Sequence, residues 1–258
     1  MTRLALTTLI AAFGGCVAAA MHAHGTRRIT SAESAAVLGA PRKISGKASA
    51  RTSTTESNGA TRAVDLPRRD VEAIRKRIRD GEAGTYIGEI LLDHDSSLAR
   101  WPDRTTRPLT VWVQSEADIR DWRPEFVVQV LDAFAAWDSV GIPVRFNFVP
   151  DSASADVHVT WTDHFDEAIS GKTLWARDER WWIVDGDIII AVHHNEGEPL
   201  DSSAVKAIAL HEIGHLVGLD HTGDTSNIMT AKVRVRALSG ADRATARLLY
   251  SLPPGSVR

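Results

Sequence analysis

The stretch Ala207–Met229, AIALHEIGHLVGLDHTGDTSNIM, decides how the rest of the 258-residue chain is read. It carries His211, Glu212, His215 and His221 at spacings that suit a metal site. On a helix of about 3.6 residues per turn, His211 and His215 stand one above the other on the same face. Two stacked imidazoles make a two-pronged grip for zinc. Glu212 lies about 100° round the helix from His211, placed to hold a water beside the metal rather than to bind the metal itself. His221 would fall on the far side of a continuing helix, so the helix has to stop before it. Gly218 is the cheapest stop, because glycine adopts the left-handed conformation without a Cβ clash. The chain can then fold back and offer His221 as a third ligand.

The pattern His-Glu-x-x-His-x-x-Gly-x-x-His, filled by His211, Glu212, His215, Gly218 and His221, resembles the metzincin signature. The intervening residues look most like the matrixin branch, the family of the matrix metalloproteinases and their bacterial relatives. Ser226-Asn227-Ile228-Met229 falls where that family carries its methionine turn under the zinc. The resemblance implies an α+β, zincin-like fold: a twisted mixed five-stranded sheet with a long helix, the zinc-binding active-site helix and a C-terminal helix. It also implies a zinc endopeptidase with one catalytic Zn2+ on His211, His215 and His221, Glu212 as the catalytic residue and Met229 as a structural support. A peptide or protein substrate would lie along the edge strand above the zinc, for which Thr173, Leu174, Trp175 and Ala176 are the candidates here. Val233 and Val235 are candidates for the pocket beside the methionine turn.

Two departures from the family stand out. Where matrixins usually have a proline and then an aromatic residue, Met229 is followed by Thr230-Ala231-Lys232-Val233-Arg234-Val235-Arg236. Arg234 and Arg236 are expected in solvent, because unpaired buried charge is costly. The pro-segments of vertebrate-type matrixins block the zinc with a cysteine, yet no cysteine lies between Val17 and Arg258. If residues 63–98 are a pro-segment, Asp93, His94 and Asp95 are the candidate substitutes, against the simpler reading of a solvated turn. A second zinc, drawn from His158, His164, Asp166, His193 and His194, does not reproduce the family's spacing. Ca2+ at Asp163, Asp166, Asp185 or Asp187 has no loop motif behind it.

Three neutral imidazoles leave one position of a tetrahedral zinc open, which marks a catalytic rather than a closed structural site. Water in that position has its pKa lowered to about 7, so Glu212 can take its proton at neutral pH and pass it to the departing amine. The alternative is a zinc-stabilised cell-surface binding protein without turnover, which would have no need of Glu212.

The formal net charge of -3 and the absence of a long basic run give no reason to expect nucleic acid. Arg3 followed by the apolar, small-residue stretch Leu4–Ala20 has the form of an export signal with cleavage near Ala18-Ala19-Ala20. That stretch is too short and too rich in alanine and glycine to span a membrane. The single cysteine, Cys16, lies inside it, which excludes disulfides as a source of stability and leaves open a lipid anchor at Phe13-Gly14-Gly15-Cys16. A secreted, periplasmic or surface-held monomer is expected.

Residues 21–62 are rich in Ser, Thr, Ala, Gly and Arg and are expected to form a flexible leader. Residues 63–98 form a pro-segment or N-terminal extension, and the catalytic domain is expected over 99–258. Within the extension, Val71, Ile74 and Ile78 predict a short helix ending at Asp80-Gly81, while Tyr86–Leu92 has strand-like content in a pattern too short to decide. Beyond Ala99, strands are predicted at Leu109–Val113, Val144–Phe148, Val157–Trp161, Thr173–Arg177 and Asp187–Val192. A helix starts at Pro124 and ends by Gly141, the zinc helix has Ser202 or Ser203 as its N-cap, and Ser239–Asp242 reads as a capping box opening a last helix.

Overall fold

The computed structural model describes residues 27–30 and 68–258, and in it the alternating segments become one sheet. Its strands are β1 (Arg27–Thr30), β3 (Arg104–Val113), β4 (Val144–Phe148), β5 (Val157–Thr162), β6 (Gly171–Arg177) and β7 (Ile183–Ala191), in the order β1-β6-β7-β5-β3-β4. β3, β4, β5 and β7 are mutually parallel, whereas β6 runs antiparallel to β7. The mixed sheet of β3 to β7 is therefore the five-stranded one expected. The sixth strand comes from the leader: β1 pairs antiparallel with the outer edge of β6, from Arg27 opposite Arg177 to Thr30 opposite Leu174. A sheet edge offers unpaired backbone groups to any extended chain, so this pairing needs no apolar pattern and left none to read.

β3 begins earlier than expected and takes in Pro108. Proline cannot donate to a ladder, and the pairing of β3 with β4 shifts register between Arg104 and Leu109, the kind of irregularity at which proline is tolerated. In β5 the alternation is fully expressed, with Val157, Val159 and Trp161 buried and the residues between them only partly covered.

The long helix, α3 (Glu125–Asp138), starts after Pro124 and buries Phe126, Val130, Ala133, Phe134 and Trp137. Gly141, at φ +86°, lies just beyond its end. It packs on the metal helix α4 (Ser202–Leu216), where the Trp137 indole N–H donates to the Leu210 carbonyl at 2.8 Å. The N-cap of α4 is Asp201, not Ser202 or Ser203. Its carboxylate accepts the Ala204 amide and the Ser203 hydroxyl, each at 2.7 Å. Asp and Ser cap equally well by geometry, but a carboxylate also complements the positive end of the helix dipole. The last helix, α5 (Gly240–Ser251), opens on the expected capping box of Ser239 and Asp242, with both reciprocal hydrogen bonds formed.

Helix α1 (Arg68–Gly81) buries Ile74 and Ile78 as its stripe predicts. The stretch that follows, undecided by its pattern, is helix α2 (Ile87–Asp93), with Ile87 and Ile90 buried on one face. Tertiary burial of an i, i+3 apolar pair outweighs the weak β preference of these residues. After α2, β2 (Ser97–Leu98) pairs antiparallel with β8 (Gly255–Ser256), so the extension is laced to the end of the chain. Among the described residues, no helix is long and apolar enough to cross a membrane. Residues 1–20 with Cys16, and the leader apart from β1, lie outside the described residues.

Candidate metal centre

α4 ends where the third ligand requires it to end. The Gly218 amide donates to the His215 carbonyl and the Leu219 amide to the Gly214 carbonyl, both at 3.0 Å, with Gly218 at φ +97°. These two bonds form a Schellman stop, which turns the chain back beneath the helix. A Cβ on Gly218 would also run into the Ala99 carbonyl oxygen, so the position excludes side chains twice over.

The turn brings His221 to His211 and His215. Their Nε2 atoms lie 3.0 Å apart for His211 and His215, 3.2 Å for His211 and His221, and 3.3 Å for His215 and His221. Nδ1 of His211 donates to the Ile228 carbonyl at 2.8 Å, and Nδ1 of His215 donates to the Leu219 carbonyl at 3.0 Å. Those bonds fix the tautomer and turn both Nε2 lone pairs inward. Around a tetrahedral zinc with ordinary Zn–N bonds, nitrogens sit about 3.3 Å apart, so the triad fits the ion. Among the described residues it is the one cluster of three or more His, Cys, Asp or Glu donors within metal-binding reach.

The electrostatics favour a metal over a proton at this point. His211 and His215 are buried, and His221 is half-buried, so the site opens on its side. Burial first, then the neighbouring imidazoles, push His211 well below the usual histidine range; burial and His221 bring His215 down to about 3. Both are therefore neutral at pH 7, as metal ligands must be. Below about pH 6.5 the unfolded chain binds protons at these positions and the folded chain does not, so stability falls with pH. Asp220, lowered to about 2, acts in the same direction in a lower window: its stabilisation is lost only below about pH 4. Metal-free protein should thus lose thermal stability between pH 6.5 and 4.5, and His215→Gln should flatten that slope. A midpoint independent of pH in this window would contradict the burial argument.

Glu212, next to His211 on α4, is fully buried. The Thr173 hydroxyl is near both its carboxylate Oε2, at 2.6 Å, and its backbone carbonyl, at 2.9 Å. Thr173 belongs to the strand read as substrate-binding, but its side chain faces Glu212 instead of solvent. Gly171 on the same strand was not foreseen. A Cβ there would lie 2.5 Å from Glu212 Oε1 and 2.7 Å from Ile208 Cγ2, so only glycine lets β6 approach the carboxylate this closely. Leu174 is half-buried on β6, and Trp175 and Ala176 are buried. Met229 is buried beneath α4, its sulfur against Gly214, where any Cβ would collide with it. Val233 is buried and Val235 half-buried, while Arg234 and Arg236 face outward, Arg236 reaching Ser203 and Asp201.

Four further histidines face carboxylates of their own. His193 is buried between two carboxylates, with Nδ1 2.9 Å from Asp163 and Nε2 3.0 Å from Asp121. His164 pairs with Asp163, and His158 with Asp187. His94 sits against Asp220, Asp95 pairs with Arg258, and Asp93 is exposed, so His94 and Asp95 are engaged away from the triad nitrogens.

A family model described as matrixin matches residues 101–251, more than half of the chain. Metalloendoproteinase 1-MMP of Arabidopsis thaliana is 32% identical over 120 residues, which are 40% of this chain and 31% of that protein. Matrix metalloproteinase-C of Caenorhabditis elegans is 24% identical over 177 residues, 61% of this chain and 28% of that protein. The matched region spans less than a third of the length of either relative. The family match covers strands β3 to β7, the metal helix, the converged triad and the methionine turn together, and the chain belongs to the matrixin family.

Proposed function

We propose that this protein is an exported zinc endopeptidase that hydrolyses peptide bonds in extended protein substrates. The observation that carries the reading is the convergence of three Nε2 atoms beside a buried carboxylate that a threonine hydroxyl holds in place. His211, His215 and His221 would hold the metal. Bound zinc would supply the Lewis acid that lowers the pKa of a water and polarises the scissile carbonyl. Glu212 takes the proton from that water and returns it to the departing amine. The Thr173 hydroxyl donates to Oε2 and so fixes which way the carboxylate faces. Gly171 leaves the room in which that carboxylate sits against β6.

The substrate would run along β6. Arg27–Thr30 lies antiparallel along that same edge through backbone groups, which supports an edge suited to an extended chain; a substrate would take its place there. Val233 and Val235 would line the pocket beside Met229. The names of the two relatives, a metalloendoproteinase and a matrix metalloproteinase, support the same activity. Residues 1–20 would serve as the export signal.

The test is cleavage of a mixed peptide library by metal-loaded protein, with and without a chelator. Cleavage should disappear with the chelator and return with added zinc. Folded protein with one zinc per chain that cuts no peptide in the library would overturn the reading in favour of a binding role.

A further inference from the structure

The third metal ligand differs from the other two in what holds it. His211 and His215 ride on a helix and are each anchored through Nδ1, whereas His221 lies on the loop after the helix stop. The residues on both sides of His221 are gripped by α2, which lies outside the stretch matched by the family model. Before it, Asp220 Oδ1 accepts the His221 backbone N–H at 2.7 Å, and Asp220 Oδ2 meets His94 Nε2 at 2.5 Å. After it, Glu89 Oε1 accepts the Thr222 hydroxyl at 3.0 Å and Glu89 Oε2 accepts the Gly223 amide at 2.7 Å. Glu89 is on α2 and His94 is its C-cap, so one short helix spans the ligand like a strap. The strap itself is anchored at its start: the Tyr86 amide donates to Thr245 Oγ1 at 3.1 Å, and its hydroxyl donates to Asp242 Oδ1 at 3.0 Å.

We propose that Glu89 and His94 are positioning residues that preorganise His221 for the metal, so that α2 is a working part of the metal centre. This rests on the zinc reading above. A loop free to wander would have to be ordered each time the ion binds, and partners that orient metal ligands typically contribute about 10–100-fold to metal affinity. Asp220 and the pair Thr222 and Gly223 are neighbours of His221 in sequence, so fixing both sides holds the backbone from which the imidazole projects.

The test measures zinc affinity of the full chain by competition with a chromophoric chelator. The variants are Glu89→Ala, His94→Ala, the double variant, the conservative Glu89→Gln, and His221→Ala as the level of a two-ligand site. Each single alanine variant should bind zinc about 10-fold more weakly, the double variant should approach His221→Ala, and Glu89→Gln should recover part of the loss. The cobalt-loaded variants should show altered visible absorption from a loosened tetrahedral site. Thr222→Val leaves α2 untouched and should weaken zinc in the same direction, which separates positioning from a general loss of folding. If Glu89→Ala and His94→Ala lower only the melting temperature of the metal-free protein, with zinc affinity and cobalt spectrum unchanged, the proposal is wrong. If the unaltered chain itself binds zinc no better than His221→Ala, the zinc reading fails instead.

Discussion

Glu212→Gln should lower kcat/KM for peptide cleavage by about 10²- to 10⁴-fold, the usual contribution of a positioned general base, while leaving one zinc per chain. The substitution is nearly isosteric, and the amide oxygen can still accept from the Thr173 hydroxyl that now lies 2.6 Å from Oε2. It cannot take a proton from water. Metal content and melting temperature should therefore remain at the level of the unaltered protein, and the loss should fall on kcat. Paired measurements of zinc content and steady-state kinetics check this. Cleavage within a few-fold of the starting protein would remove Glu212 from the chemistry and leave the metal site without a base.

Gly218→Ala should be among the most damaging single substitutions in the chain, though it adds one methyl group at a residue that touches no substrate. The backbone there is at φ +97°, where an L side chain is strained, and the new methyl would meet the Ala99 carbonyl oxygen, part of the backbone. Backbone strain and overpacking of this kind cost about 2–5 kcal/mol together, a large share of the margin of an ordinary domain. Relief would come by unwinding the helix stop, which moves Leu219, whose carbonyl holds the ring of His215, and His221 beyond it. The expected result is a large fall in the denaturant midpoint, with weaker zinc binding in whatever fraction folds. An unchanged midpoint would mean that the stop is not where the site draws its geometry.

What could be read from the sequence was what is encoded locally. The spacing of His211, His215, Gly218 and His221 determines the helix, its end and the third ligand within a few turns of chain. The alternation of β5, the stripe of α1 and the capping box of α5 are likewise written in neighbouring residues. The features that escaped depend on contacts between distant segments. Nothing near Gly171 or Thr173 in the sequence says that they will meet Glu212. The stretch from Tyr86 looked strand-like because its aromatic and β-branched content was visible, while the surfaces that bury Ile87 and Ile90 were not. At the start of α4, three adjacent residues could all cap the helix, and the folded chain uses Asp201. Pairing of the leader with β6 involves backbone groups that every residue carries, so it has no signature of its own.

Asp242 has a consequence for how this fold opens. Its Oδ2 accepts both the Ile228 amide, at 2.9 Å, and the Ser239 amide, at 2.7 Å, while Oδ1 takes the Tyr86 hydroxyl. One buried carboxylate thus joins the methionine turn, the first turn of α5 and the entry to α2. Neither amide can exchange its hydrogen for deuterium without loosening a bond to the same atom, so the three segments open as one cooperative unit. The carbonyl of Ile228 holds the ring of His211, which makes the slow breathing of that unit also the motion that would release the metal.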